Sequence, residues 1–236
     1  MRADRSAATV IGVGALAGWL GPAAAPVVPP VAALFGVPLR LPGGRGIALT
    51  FDDGPHAEGT PAVLRELEQA GATATFYLVG EQVERRPALV AEIVAAGHEV
   101  GVHGYRHTLL LRRSPASVRD DLARAAALIE DAAGRPARSY RPPYGVFSLA
   151  ALRIARERFS PLLWSRWGRD WERRATPASI AARATRRLGA GDGVLLHDAD
   201  SYSVEGSWRR TAGALPAVLE AALSTGEPLV TPSQST

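Results

Sequence analysis

From residue 46 onward, short runs rich in β-branched and aromatic residues alternate with longer amphipathic runs, and this alternation restricts the fold more than any other feature of the chain. Strands separated by helices lie parallel and are covered by those helices, so the pattern predicts a mostly parallel α/β sheet or barrel. Strands are expected at residues 46–51, 74–79, 98–102, 139–141, 161–164 and 193–197, with 229–230 a weak seventh. Helix starts are expected at Thr60-Pro61, Ser114-Pro115 and Thr176-Pro177, each pairing a capping hydroxyl with a proline in the first turn. Gly71, Gly97, Gly134, Gly189 and Gly226 mark the expected helix ends.

The apolar fraction of 47% is ample for a core and excludes a disordered chain. No cysteine is present, which excludes a disulfide scaffold, a zinc ribbon or a thiol nucleophile. All 27 Lys+Arg residues are arginine, so Schiff-base and P-loop lysine chemistry are excluded as well. The basic balance is concentrated near the start. Residues 46–236 carry 23 Arg against 22 acids, a net +1 that argues against nucleic acid as a partner.

Residues 6–39 contain no formal charge. An apolar helix is expected at 7–20 behind Arg2 and Arg5, of signal-peptide length, and five prolines interrupt residues 21–39. Three readings stay open: an uncleaved anchor or membrane hairpin through residues 7–39, a cleaved export signal after Ala23-Ala24-Ala25, or a buried core helix. The first two place the rest of the chain beyond the membrane, anchored or secreted. The expected organisation is a hydrophobic segment plus linker at 1–45 and a catalytic domain at 46–236.

Polar residues cluster just past the predicted strands. Asp52 and Asp53 follow the first, His103 and His107 the third, and Arg141 ends the fourth before Pro142-Pro143-Tyr144. Asp170 and Trp171 come soon after the fifth, and Leu195 and His197 close the last. In parallel α/β folds these positions share one rim, where active sites are built. Adjacent acids usually form a solvated turn, but on the rim of an apolar strand they diverge: one can bind a metal and the other stay free as a base. His103-x-x-x-His107 has ligand-like spacing and, with a carboxylate, completes a His₂Asp site with open positions. Arg141 facing Asp52 would hold that carboxylate ionised. Tyr144 could offer a backbone N–H to an oxyanion, and His197 is a candidate general acid that Asp170 could tune.

Thr50-Phe51-Asp52-Asp53-Gly54-Pro55, His103-Gly-Tyr-Arg-His107, Arg141-Pro-Pro-Tyr144, Asp170-Trp171 and Leu195-Leu-His197 appear in this order. Together they resemble the motifs of polysaccharide deacetylases of carbohydrate esterase family 4, over roughly residues 46–230. The resemblance implies a distorted (β/α)₇ barrel and metal-dependent removal of N-acetyl, sometimes O-acetyl, groups from glycans. It implies Asp53, His103 and His107 as ligands of a divalent metal, Zn²⁺ ahead of Co²⁺ or another ion. Asp52 would be the base, Arg141 its orienting partner, and the Tyr144 backbone an oxyanion donor. Asp170 and Trp171 would support the site wall, Leu195 would line the acetyl-methyl pocket, and His197 would be the acid. The expected partner is an N-acetylated cell-envelope or extracellular polysaccharide. The alternatives are a same-fold hydrolase of another amide or ester, or a catalytically silent membrane-tethered glycan-binding module. Two positions depart from the motifs. Gly104 replaces the usual Ser or Thr, and Trp167 stands where the fourth motif usually opens with Asp.

Overall fold

The computed structural model describes residues 21–234. Seven parallel strands form one sheet in the order β5-β4-β3-β2-β1-β7-β6. They are β1 Ala48–Asp52, β2 Thr75–Leu78, β3 Glu99–Val102, β4 Ser139–Tyr140, β5 Ser160–Pro161, β6 Arg166–Trp167 and β7 Gly193–His197. Eight α-helices occur among the described residues: α1 Pro29–Leu34, α2 Gly59–Gln69, α3 Gly80–Arg85, α4 Pro87–Ala95, α5 Pro115–Ala133, α6 Leu149–Arg156, α7 Pro177–Ala184 and α8 Ser207–Leu223.

The curled sheet is a distorted (β/α)₇ barrel whose two edge strands, β5 and β6, follow one another in the chain. A single strand is expected at residues 161–164, yet the chain here serves two neighbours in succession. β5 pairs with β4, and a few residues later β6 pairs with β7. Leu162 N–H still donates to Tyr140 O (3.0 Å), while Ser165 N–H already donates to Gly193 O (3.0 Å). β6 is therefore the seventh strand. Residues 229–230, the expected weak seventh, contribute only an isolated bridge from Leu229 to Ile47.

Local signals account for most helix boundaries. Ser114 Oγ accepts from Ser117 N–H at the start of α5, and Thr176 with Ser179 forms a reciprocal capping box at α7. Gly134 ends α5 in left-handed backbone (φ 63°). Two boundaries differ from expectation. Thr60 lies inside α2, because its hydroxyl is drawn to Asp198 and to the N–H of His56. α7 stops at Ala184, well before Gly189. The helices turn apolar faces onto the sheet: α2 buries Val63 and Leu67, and α5 buries Val118, Leu122, Ala125, Ala126 and Ile129. These pack on Leu49, Phe51, Phe76, Leu78 and Val100 in one continuous core.

The expected apolar helix at 7–20 lies outside the described residues. Residues 21–45, expected as membrane segment and linker, pack on the barrel. Ala25, Ala32 and Val37 join the core. Pro38 O accepts from Leu163 N–H, Leu41 N–H donates to Gly191 O, and Arg156 reaches Phe35 O and Gly36 O. Among the described residues no helix is long and apolar enough to cross a membrane.

Candidate active site

The C-terminal strand ends open onto a cavity of about 510 Å³ whose lining includes Asp52, Asp53, His103, His107, Leu195 and His197. Parallel pairing puts them there. Asp52 ends β1, directly beside His197 at the end of β7, and His103 follows β3 two strands away. β1 is buried along its whole length, so the strand delivers its carboxylate to the cavity floor and not to solvent.

Asp53 leaves the strand with left-handed backbone (φ 79°), which Asp tolerates better than bulkier residues. The reversal sends the two adjacent carboxylates to different partners. Asp53 Oδ1 lies 3.4 Å from His103 Nε2 and 3.3 Å from His107 Nε2. Asp52 turns instead to Arg141, Oδ1 to Nη1 2.7 Å, and keeps Oδ2 3.8 Å from His103 Nε2. Arg141 is fully buried, and its donors are matched by the Asp52 carboxylate, Thr50 Oγ1, Leu162 O and Leu163 O, with the Tyr77 ring 4.2 Å away. A buried guanidinium is tolerable only when it is paired and hydrogen-bonded in this way.

The residues Asp53, His103 and His107 fit a metal ion. One ligand atom from each lies within 4.8 Å of the others. Asp53 Oδ1 is buried without a hydrogen-bond partner, a costly state that a cation would relieve. His103 Nδ1 is 2.7 Å from Arg141 O; donation to that carbonyl leaves the Nε2 lone pair facing the cluster. The set of two imidazoles and one carboxylate, with open positions, suits zinc and its neighbours.

His107 is reached through a loop, not a helical turn. Gly104 there has φ 89°, and a Cβ would meet Asp121 Oδ2 at 3.2 Å and Arg106 O at 3.3 Å. The loop is held from α5, where Asp121 Oδ2 accepts from Tyr105 N–H (2.7 Å). Burial pushes the Asp121 carboxyl upward, against the backbone N–H groups of Tyr105 and Arg106.

On the opposite wall, buried Asp170 grips His197 twice, Oδ1 to Nδ1 at 2.9 Å and Oδ2 from the backbone N–H at 2.7 Å. Thr211 Oγ1 on α8 donates to the same Oδ2 (2.7 Å). Trp171 meets the His197 ring edge-on at 5.3 Å. Leu195 lies on the cavity floor, and Tyr144 projects at the mouth, 56% exposed, with left-handed backbone (φ 61°). The Tyr144 N–H donates to no acceptor among the described residues.

Electrostatics separate the groups. Burial raises Asp53, but the close His103 imidazole and the charges of His197 and His107 outweigh it and bring it to about 2. Burial lowers His107 to about 4, the neutral form a ligand requires. Burial works against the charged form of His197 too, yet the charge and hydrogen bond of Asp170, with Asp53 and Asp52 beyond, raise it to about 10.

Every residue singled out in the sequence thus reaches this cavity or braces a residue that does. Others carried no motif. Tyr202 stacks on His107, Asp198 lies buried behind Gly54, and Asp121 and Thr211 reach in from helices. Only Asp198, next to His197, had a positional signal.

The Polysaccharide deacetylase family model matches residues 41–158. A peptidoglycan-N-acetylglucosamine deacetylase of Bacillus cereus is 37% identical over 155 residues, covering 64% of this chain and 72% of that protein. The chain belongs to the polysaccharide deacetylase family. A chitooligosaccharide deacetylase of Bradyrhizobium sp. is 37% identical over 158 residues, covering 66% of this chain and 72% of the relative. Among solved structures, the Bc1960 peptidoglycan N-acetylglucosamine deacetylase superposes with a TM-score of 0.79 at 26% identity, covering 86% of this chain and 95% of the other. A family 4 carbohydrate esterase from Streptomyces lividans in complex with acetate gives 0.70 at 29% identity, covering 81% and 95%. A family pseudoenzyme from Bacillus anthracis gives 0.73 at 27%, covering 82% and 66%. The curated relatives are named as deacetylases, and the chain is an enzyme of that family.

Proposed function

We propose that this deacetylase removes N-acetyl groups from a polysaccharide outside the cytoplasmic membrane, with the apolar run at residues 7–20 as its anchor or export signal. The observation that carries the chemistry is the convergence of Asp53, His103 and His107 on one point, with Asp52 and His197 flanking it in the same cavity. Asp53, His103 and His107 would hold a divalent cation, zinc ahead of cobalt, which when bound supplies Lewis acidity to an amide carbonyl and acidifies water.

The residues divide the proton work. Asp52, held in place by Arg141, accepts a proton from the attacking water. The Tyr144 N–H donates to the developing oxyanion, a donor worth roughly 2.7–4 kcal/mol in such sites. His197, held protonated by Asp170, passes its proton to the departing amine nitrogen. Leu195, on the cavity lining, offers an apolar surface to the acetyl methyl group.

Acetate release from N-acetylated oligosaccharides, abolished by a chelator and restored by zinc or cobalt, is the expected result. A panel of peptidoglycan, chitin and O-acetylated fragments identifies the preferred acyl linkage. Binding of these fragments without acetate release at any metal loading would instead establish a silent glycan-binding module.

A further inference from the structure

We propose a second binding site beside the catalytic cavity: an arginine-lined groove that holds an anionic substituent, carboxylate or phosphate, of the polysaccharide being processed. The nature of the polymer rests on the deacetylase reading; the demand for an anion does not.

The groove has a volume of about 300 Å³ and is lined by Ser165, Arg166, Trp167, Arg169, Arg183 and Arg186. Trp167 lines both the groove and the catalytic cavity, so the two sites are neighbours. The local charge is unlike the rest of the domain. Residues 165–187 contain seven arginines against Asp170 and Glu172, while residues 46–236 as a whole have a net charge of only +1.

Those two acids do not neutralise the groove. Asp170 is buried and committed to His197 and Thr211. Glu172 is shared between Arg169 (2.7 Å) and Arg183 (2.9 Å), one carboxylate against two guanidinium groups. Arg166 is held by Asp192 (3.2 Å) and by Arg187 O. Arg186 has neither an ion pair nor a hydrogen bond from its side chain among the described residues. Like charges gathered in a concave site repel one another and are relieved by an anion entering between them. The planar fork of arginine matches the paired oxygens of carboxylate and phosphate alike. The Arg169 guanidinium lies 5.6 Å from the Trp167 ring centroid, which leaves an aromatic surface beside the charge for an adjoining sugar ring.

The test compares the zinc-loaded protein with the double variant Arg183→Gln/Arg186→Gln on three oligosaccharides of equal length: neutral, carboxylate-bearing and phosphate-bearing. Calorimetric affinity is measured alongside acetate release. The expected result is a preference for at least one anionic chain that weakens between about 0.05 and 0.5 M NaCl. In the variant, affinity for that chain should fall about tenfold, the loss of one charge-assisted contact, and KM should rise with it. kcat and all constants for the neutral chain should stay unchanged, which also shows the variant to be folded. The arm that responds identifies carboxylate or phosphate. Equal binding of all three chains by the wild-type protein, or an equal loss for neutral and anionic chains in the variant, would overturn the groove. Selective anionic binding with no acetate release from any chain would sink the deacetylase reading and leave the groove standing.

Discussion

Tyr202 lies flat against His107, with ring centroids 4.4 Å apart and planes 12° from parallel. Its hydroxyl donates to Glu81 Oε1 and accepts from Gln82 Nε2, so α3 clamps the ring in place. Tyr144 also meets His107, edge-on and likewise at 4.4 Å. A ligating histidine is ordinarily oriented by a hydrogen bond from its second nitrogen. His107 Nδ1 has no such partner, and the two aromatic rings hold the imidazole instead. Tyr202→Ala should therefore weaken zinc binding about 10- to 100-fold, the range seen when an orienting partner is lost. Tyr202→Phe, which keeps the stack and loses only the hydroxyl bonds, should lose much less. Titration of zinc against a competing chelator measures both. Equal affinities in all three proteins would rule out an orienting role.

Asp52 lies outside the Asp53–His103–His107 cluster, with Oδ2 3.8 Å from His103 Nε2, and among the described residues it is the only carboxylate paired with the buried Arg141. Asp52→Asn should lower kcat at least about 10²- to 10⁴-fold, the usual span of general-base catalysis, while zinc still binds through Asp53, His103 and His107. The same change leaves Arg141 without its counter-ion, and unpairing a buried charge costs about 3–5 kcal/mol. Lower thermal stability should accompany the lost turnover. Zinc stoichiometry, kcat and the unfolding midpoint separate the three effects, and turnover at the wild-type rate would remove Asp52 from the role of base.

The groups that line the cavity were legible as neighbours because each sits where a strand ends, and strand ends in a parallel barrel meet at one mouth. Asp52, His103 and His197 needed only the strand positions to be placed together. What was not legible depends on tertiary geometry. The seventh strand consists of Arg166 and Trp167, too few residues to show any alternation, and it exists because β7 offers a free edge there. Thr60 looks like a helix cap beside Pro61, but a buried carboxylate from residue 198 overrides that local role. Tyr202, Asp121 and Thr211 are ordinary loop and helix residues in the sequence, and only folding brings them against His107, the His103–His107 loop and Asp170.

The His197–Asp170 pair gives the metal-free protein a specific pH response. The pKa of His197 in the folded state is raised to about 10 from 6.5, so the protonated form is favoured by folding. The resulting stabilisation is fully present below pH 6.5 and is lost as pH rises toward 10. The unfolding midpoint of chelator-treated protein should therefore fall across that window. Asp170→Asn removes the partner and should flatten the fall between those limits, as well as starting from a lower midpoint. A wild-type profile that is level from pH 6.5 to 10 would contradict the assignment of a protonated His197.

Gly104 carries the backbone of the ligand loop at φ 89°, a region L-residues rarely adopt, with Asp121 and Arg106 O close to where a side chain would begin. Restoring a hydroxyl with Gly104→Ser should therefore harm this chain. The serine would strain the backbone by about 1–2 kcal/mol and press on Asp121, the carboxylate that already holds Tyr105 N–H. For a domain of this size that cost corresponds to a midpoint lower by roughly 2–8 °C. Because the loop bears His103 and His107, zinc affinity should drop as well. Gly134→Ser, at a helix end where a Cβ meets nothing within 4 Å, should strain the backbone similarly and leave zinc affinity intact. Calorimetric unfolding and zinc titration of the two variants decide the matter: a Gly104→Ser protein as stable as wild type, with undiminished zinc binding, would show that Asp121 and a serine can share the loop.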